Sequence, residues 1–230
     1  MERYNRQIIL PEWGEEGQLR LQQAKVLIVG VGGLGSPVAL YLTGAGVGTI
    51  GLIDDDVVSI SNLQRQILYS EAEVGLPKAI RAKQRLEALN HDVQIRAYPA
   101  RLTKENAHDI IRHYDIVVDG CDNFATRYLI NDTCVECGKV YVYGAIRAFD
   151  GQVSVFNYQG GPDYRHLFPD EAEMLSMPHP PKGVLGVTPG MVGTAEAAEV
   201  LKIIGGYGEV LSGKLWTINL KTMETHLLCL

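Results

Sequence analysis

A short apolar strand that runs directly into a glycine-rich turn constrains the fold of this chain most strongly. Residues 26–29 are Val, Leu, Ile and Val, and residues of this kind suit a strand that is buried on both faces of a sheet. Gly30, Gly32 and Gly35 follow in the spacing Gly-x-Gly-x-x-Gly, and Pro37 opens an apolar, helix-like segment whose first turn tolerates proline. A strand, turn and helix of this kind direct backbone N–H groups and a positive helix end towards a phosphate. The sequence therefore predicts a nucleotide site; a glycine turn without a ligand is the plainer alternative.

Acidic residues close the second predicted strand, residues 49–53. Asp54 lies nineteen residues after Gly35, close to the spacing at which an acid binds the ribose hydroxyls of a nucleotide. For Asp55, we favour a solvated loop position. Asp54 is therefore the predicted ribose ligand.

The remaining pattern predicts an α/β, Rossmann-like nucleotide-binding fold with a mixed, mainly parallel sheet extended by C-terminal antiparallel strands. Further strands are expected at residues 93–97 and 115–119, and residues 119–123 then lie on the ligand side of a parallel sheet. Antiparallel strands are predicted around the Asp150-Gly151 turn (141–149 and 152–158) and in a terminal hairpin (214–220 and 224–228).

One domain is expected over residues 1–230, because no linker or repeat divides the chain. Residues 1–24 read as an N-terminal helical arm, and further helices are predicted from Lys78, over 126–137 and over 191–204. Residues 159–182 carry five prolines and no clear periodicity, which is typical of a crossing loop or lid.

Composition excludes several classes of protein. The net charge of −6 argues against general nucleic-acid binding, which depends on Lys and Arg at phosphates. The longest apolar region, residues 38–53, is interrupted by glycines and predicts no membrane span. Four cysteines and a polar N-terminus without a signal-peptide core indicate a reducing, cytoplasmic location.

Three polar residues separate nucleotidyl transfer from hydride transfer. A triphosphate needs cations around its β- and γ-phosphates and a carboxylate that holds Mg²⁺, whereas a dinucleotide pocket needs neither. Arg65, Lys78 and Asp122 lie at element boundaries, where their side chains can reach a crevice. They favour a triphosphate site.

Several strings together resemble the ThiF/MoeB/HesA family, the bacterial relatives of ubiquitin-activating enzymes. They occur in the family's order over nearly the whole chain: RYNRQI from residue 3, GVGGLGSPVALYL from 30, the acids Asp54 and Asp56, SNLQRQ from 61, GLPK from 75, DGCDNFATRYLIND from 119 and GQVSVF from 151. As a set, these strings are far more specific than any one of them alone.

The resemblance implies an adenylyltransferase that uses ATP and Mg²⁺ to transfer AMP to the C-terminal glycine carboxylate of a ubiquitin-like sulfur carrier ending in Gly-Gly. By matching position, Gly33 packs against the nucleotide, and Asn62, Arg65 and Lys78 contact phosphates. Asp122 binds Mg²⁺. The implied nucleotide site is completed by Gly30, Gly32, Gly35, Asp54, Asp56, Gln66 and Asn123.

The resemblance also implies a homodimer in which Arg6 reaches the neighbouring subunit's site. With Arg65, Lys78 and Asp122, it completes the expected catalytic set. A carboxylate is ionised at neutral pH, so its attack on the α-phosphorus requires no general base.

Two departures from the family pattern limit what is expected. Many members bind zinc through two Cys-x-x-Cys pairs; this chain has Asp163 and His166 at the first pair and lacks the second, so no structural zinc is expected. Cys134 and Cys137 have the Cys-x-x-Cys spacing, but they lie in a predicted helix and no second Cys-x-x-Cys pair accompanies them. No cysteine lies near residues 183–186, where relatives often carry one for a covalent step, and His179 is expected to be an exposed loop residue. A separate sulfur donor is therefore expected.

Alternatives remain open at the level of sequence. The carrier could belong to thiamine (ThiS-like) or molybdopterin (MoaD-like) synthesis. The same site could adenylate a small-molecule, peptide or tRNA-linked carboxylate. An NAD-dependent oxidoreductase and a non-catalytic scaffold that holds a carrier are less favoured, because neither explains Arg65, Lys78 and Asp122.

Overall fold

An eight-stranded mixed sheet organises the protein. The structure, a computed structural model, describes residues 2–177 and 183–230. The strand order is β3-β2-β1-β4-β5-β6-β7-β8. The strands are β1 (Lys25–Val29), β2 (Thr49–Ile53), β3 (Gln94–Tyr98), β4 (Ile116–Asp119), β5 (Val140–Arg147), β6 (Asp150–Phe156), β7 (Lys214–Asn219) and β8 (Glu224–Cys229). Strands β1 to β5 pair in parallel and the last three pair antiparallel, which confirms the predicted fold class.

The switch point of this sheet lies at β1. Its last residue, Val29, pairs with Ile53 of β2 on one side and with Asp119 of β4 on the other. Gly30, Asp54 and Gly120 therefore follow three adjacent strand ends at the same edge of the sheet. In open α/β sheets, ligands bind in the crevice at such a point.

Helices cover both faces of the sheet. They are α1 (Asn5–Ile8), α2 (Gly14–Gln23), α3 (Gly35–Ala45), α4 (Lys78–Leu89), α5 (Ala107–Ile111), α6 (Phe124–Cys137), α7 (Tyr164–Leu167), α8 (Glu171–Ser176) and α9 (Val187–Gly205). Helix α9 begins before the predicted residue 191. Pro189 lies in its first turn, where a missing N–H breaks no intrahelical bond. Among the described residues, no helix is both long and apolar enough to cross a bilayer.

Alternation along the strands divides the core into two layers. In β1, Val26 and Ile28 join a cluster with residues of α3 and α9, whereas Leu27 and Val29 join one with residues of α5 and α6. Each fully buried aliphatic side chain of this size contributes about 1.5–3 kcal/mol. The buried, doubly covered strand predicted from residues 26–29 is confirmed.

The segment 159–182 contains more regular structure than its sequence predicts. Helices α7 and α8 each begin at an aspartate N-cap: the side chain of Asp163 accepts from the His166 N–H, and that of Asp170 accepts from the Glu173 N–H. Both helices are too short to produce a helical periodicity. The predicted crossing loop or lid thus contains two short helices, and its role stays a prediction; the expectation for His179 lies outside the described residues.

One carboxyl group of the core has no polar partner in the described part of the chain. Glu196 of α9 is fully buried, and neither of its carboxylate oxygens accepts a hydrogen bond. Its carboxyl lies against β5 at Gly144, where any side chain would overlap it. Gly144 alternates with Tyr143, so Glu196 lies on the α9 face of the sheet, opposite the layer that contains Tyr143. Burial raises the pKa of Glu196 well above its usual value.

Candidate active site

A cleft of about 1450 Å³ opens at the carboxyl ends of the parallel strands. Most of the predicted nucleotide residues line it together: Gly30, Gly32, Gly33, Asp54, Asp56, Asn62, Arg65, Gln66, Lys78, Asp122 and Asn123. Their positions in sequence span more than ninety residues, and the switch point of the sheet brings them to one place.

The glycine turn requires glycine for steric reasons. Gly30 has φ +87°, a conformation that L side chains rarely adopt, and its backbone packs against the backbone of Gly120. Gly35 is buried in the first turn of α3, and a side chain there would overlap the Gly30 carbonyl oxygen. The motif therefore shapes the floor of the cleft, although Gly35 is not among the residues that line it.

Asp54 fixes the glycine turn to the end of β2. One carboxylate oxygen accepts the Val31 N–H at 2.7 Å, and the other accepts the Asp56 N–H at 2.8 Å. Burial raises the pKa of Asp54 above its ordinary value, although these two backbone hydrogen bonds oppose the shift. Its position in the cleft suits the predicted ribose contact, which remains a prediction.

Two of the predicted cations line the cleft with the glycine turn. The Lys78 ammonium donates to Asp56 at 2.9 Å, and its side chain is only 5% exposed. Arg65 is half-buried, packs beside Gly33 and donates to the Ser61 carbonyl oxygen at 3.1 Å. The carboxylate that pairs with Lys78 is exposed, and the hydrogen-bond acceptor of Arg65 is an uncharged backbone oxygen. Both side chains can therefore interact with an anionic ligand.

Gln66 contributes a polar atom without a protein partner. The residue is 4% exposed, lines the cleft beside Gly32, and its side-chain carbonyl oxygen accepts no hydrogen bond within the described residues. A buried, unsatisfied polar atom of this kind costs about 1–3 kcal/mol.

The loop after β4 carries the predicted metal ligand. Asp122 is exposed at the cleft surface. Asn123 caps α6, since its side-chain oxygen accepts the Thr126 N–H at 2.9 Å. Its amide nitrogen lies 3.5 Å from an Asp122 carboxylate oxygen, to which it donates.

A buried polar cluster beneath this loop was not predicted as part of the site. Asp119, which is fully buried, accepts from the Arg127 Nε at 3.0 Å and from the Tyr141 hydroxyl at 2.8 Å. Burial opposes the charge of the Arg127 guanidinium, but the Asp119 carboxylate raises its pKa well above the ordinary value. The sequence places Asp119 in the DGCDN string and Arg127 at a helix start, but no spacing rule indicates that they pair.

Comparisons with known proteins identify the family. The ThiF family sequence profile matches residues 4–230. The chain belongs to the ThiF family. A sulfur carrier protein adenylyltransferase of Thermus thermophilus is 52% identical over 221 residues, which cover 94% of this chain and 82% of that protein. A probable molybdopterin-synthase adenylyltransferase of Porphyra purpurea is 49% identical over 225 residues, which cover 96% of this chain and 59% of that protein.

Solved structures share the fold of this ThiF-family chain. Escherichia coli MccB with ATP superposes with a TM-score of 0.83 at 26% identity, over 94% of this chain and 66% of that one. PaaA superposes with a TM-score of 0.85 at 23% identity, over 99% and 72%. Both curated relatives are named adenylyltransferases, whereas the PaaA likeness shows the fold alone.

The cleft of this ThiF-family chain extends beyond the predicted nucleotide end. Its other end is lined by polar residues of β5 to β8, namely Arg147, Gln152, Thr217, Asn219 and His226, and by Met174, Leu175 and Met177 at α8. The sequence predicts the strands here but not their place in the cleft, because it does not show how far the antiparallel strands continue the ligand edge.

Arg6 does not line this cleft. It is exposed on α1, which packs against α2. Its contribution to a neighbouring subunit therefore remains a prediction.

Proposed function

We propose that the protein is an adenylyltransferase that activates the C-terminal glycine carboxylate of a ubiquitin-like sulfur carrier ending in Gly-Gly. The observation that carries this proposal is the convergence of Arg65, Lys78 and Asp122 around one glycine turn. Two cations and an exposed carboxylate that line one cleft are the groups that a triphosphate with a divalent cation needs.

ATP fits the chemistry of this cleft. The Gly30 turn lets a phosphate approach the backbone, and Asp54 lies where a ribose hydroxyl would bind. Gln66 lines the same cleft. Asp122 offers the hard oxygen ligand that Mg²⁺ prefers, and the ion would neutralise phosphate charge.

The chain's own residues then act by positioning and by charge. The carrier carboxylate attacks the α-phosphorus, a P–O bond forms, and the bond to the bridging oxygen of pyrophosphate breaks. Arg65 and Lys78 stabilise the negative charge that grows on the departing pyrophosphate. No proton is removed from the nucleophile, because a carboxylate is already ionised at neutral pH.

The far end of the cleft suits the acceptor's C-terminal tail. Arg147, Gln152 and Thr217 provide donors and acceptors for an extended backbone. A tail that enters the cleft from this far end would point its terminal carboxylate towards the proposed nucleotide end.

A homodimer with Arg6 acting in trans is part of this proposal. Apolar side chains are exposed on two neighbouring segments, which contact each other through the Gln64 amide and the Val184 carbonyl oxygen. These side chains are Ile60, Ile67, Leu185, Val187 and Met191, each 42–63% exposed. They border Arg65, so a second subunit that covers them would lie beside the cleft.

Sulfur is proposed to come from a separate donor. Cys121, the cysteine that lines the cleft, is a poor nucleophile because burial and the charge of Asp119 raise its pKa well above the ordinary value. A structural zinc site is not proposed, since Asp163 and the backbone of His166 are engaged in the N-cap of α7.

We further propose that residues 1–230 act as one adenylation domain, since all eight strands join one sheet. We place its reaction in the cytoplasm, where its four free cysteines would remain reduced. Its pathway is molybdopterin or thiamine synthesis.

ATP–pyrophosphate exchange tests the proposal. Wild type would be measured with Mg²⁺ and MoaD-like or ThiS-like carriers, each compared with a version that lacks the final glycine. We expect exchange with one intact carrier only, and its loss in Arg65→Ala but not in Arg85→Ala, an exposed arginine of α4 outside the cleft. Exchange that ignores every carrier would favour a small-molecule, peptide or tRNA-linked acceptor. ATP binding without exchange would favour a scaffold, and NADH binding an oxidoreductase.

A further inference from the structure

The loop that presents Asp122 is held through the backbone of its neighbour. The Cys121 N–H donates to one carboxylate oxygen of Asp119 at 2.9 Å, and the Cys121 carbonyl oxygen accepts from the Arg127 Nη2 at 3.1 Å. Both backbone polar groups of residue 121 are therefore bound by one ion pair. A shift of either partner would move Asp122.

The pair itself is held from several directions. The Asp119 side chain is 0% exposed and that of Arg127 9% exposed. The Arg127 guanidinium lies 5.7 Å from the Phe124 ring centroid and 5.6 Å from that of Tyr143. The Tyr141 hydroxyl completes the set by donating to Asp119. Few alternative positions remain for either charge.

A steric contact links this loop to the glycine turn. A side chain at Gly120 would overlap the Gly30 carbonyl oxygen, so the two backbones pack directly. The loop is thus fixed to the floor of the proposed nucleotide site from one side and to the ion pair from the other.

We propose that Asp119 and Arg127 are positioning residues that fix the Cys121 backbone so that Asp122 can bind the divalent cation of the bound nucleotide. This inference rests on the proposed function. Lysine cannot replace Arg127, because the two donors of the guanidinium reach the Asp119 carboxylate and the Cys121 carbonyl oxygen at once, in a planar geometry that a single ammonium lacks. The pair acts through Asp122 and takes no part in the bonds that change.

The dependence on the metal ion distinguishes this role from a general structural one. Exchange by wild type, Arg127→Lys and Arg165→Lys would be measured over a range of Mg²⁺ concentrations. Arg165 is the matched control, because it is an arginine with two carboxylate partners on α7, outside the site. We expect Arg127→Lys to need about tenfold more Mg²⁺ for half-maximal rate, about 1.4 kcal/mol of binding free energy, and Arg165→Lys to match wild type.

A binding measurement makes the result independent of turnover. Mn²⁺ binding to the protein with ATP would be followed by electron paramagnetic resonance, beside ATP binding without metal. We expect Arg127→Lys to weaken Mn²⁺ binding by about tenfold with metal-free ATP affinity unchanged. Should that variant fail to fold, Tyr141→Phe keeps both charges, removes one constraint and is expected to give a smaller shift in the same direction.

The outcomes separate the two proposals. A wild type that binds Mn²⁺ with ATP but does not catalyse exchange removes the proposed function, while a tenfold loss of Mn²⁺ binding in Arg127→Lys still supports the inference. An unchanged metal requirement in folded Arg127→Lys and Tyr141→Phe, or a wild type that binds no Mn²⁺, overturns the inference. Equal losses of metal-free ATP affinity and of rate, without a shift in Mg²⁺ requirement, would show a merely structural role.

Discussion

Two carboxyl groups are buried near opposite faces of the central sheet, and the protein stabilises them in different ways. Asp119 has a charged partner and a tyrosine hydroxyl, whereas neither oxygen of Glu196 has a hydrogen-bond partner among residues 2–177 and 183–230. Burial raises the pKa of Glu196 well above its usual range and so favours the neutral carboxyl, whereas Asp119 forms an ion pair with Arg127. One buried acid is thus matched by an opposite charge at the proposed site, and the other packs against β5 at Gly144.

The largest expected effect comes from breaking the ion pair. Asp119→Ala leaves the Arg127 guanidinium buried without its counterion, which typically costs about 3–5 kcal/mol of stability. Urea unfolding would measure the loss. The double variant Asp119→Asn/Arg127→Gln removes both charges and is expected to lose less; an equal or larger loss would contradict the importance of the unpaired charge.

Glu196→Gln tests the buried carboxyl that has no charged partner among the described residues, through the pH dependence of the free energy of unfolding. Because the folded-state pKa of Glu196 is raised, the folded protein holds a proton that the unfolded chain releases above its ordinary pKa. The contribution of Glu196 to wild-type stability should therefore fall as pH rises above the ordinary pKa of glutamate. Relative to wild type, the variant should become progressively more stable over that range, by at most about 1.4 kcal/mol per pH unit. A stability difference that does not change with pH would show that Glu196 is ionised.

Tyr141→Phe removes one hydrogen bond to Asp119 and leaves the pair intact. A bond to a charged group contributes about 1.5–3 kcal/mol, and we expect the lower end because Arg127 and the Cys121 N–H still bind the carboxylate. Thermal unfolding would detect this loss. Stability equal to that of wild type would mean that the hydroxyl does not stabilise the charge.

The smallest effect is expected at an exposed ion pair. Arg165 donates two hydrogen bonds to Asp132, but the two side chains are 36% and 42% exposed. Asp132→Asn should therefore cost about 0.2–1 kcal/mol, and high salt should reduce the difference. A loss of stability as large as that of Asp119→Ala would contradict the expectation that a buried ion pair costs more to break than an exposed one.

The sequence predicts well the strands and the glycine turn at the end of the cleft where a nucleotide is proposed, because each feature there is local. The strand at 26–29, the glycine spacing and the acids after β2 each follow from residues close together in the chain, and strand ends differ from prediction by at most two residues. Contacts between residues that are far apart in the sequence cannot be predicted from such local patterns. The contact of Tyr141 with Asp119 and the packing of Glu196 on Gly144 depend on which strands and helices become neighbours. Helices α7 and α8 escape prediction because they are too short for a period, although Asp163 and Asp170 mark their caps.

The most direct test of the account is the formation of a carrier acyl-adenylate, detected by intact mass spectrometry of a Gly-Gly-ended sulfur carrier incubated with ATP and Mg²⁺. Wild type and Lys83→Ala, a half-exposed lysine on the same helix as Lys78, should both add one AMP to the carrier. Lys78→Ala should add none while remaining folded. The account would be contradicted if the adenylate formed equally well with Lys78→Ala. It would also be contradicted if wild type added AMP to none of the Gly-Gly-ended carriers.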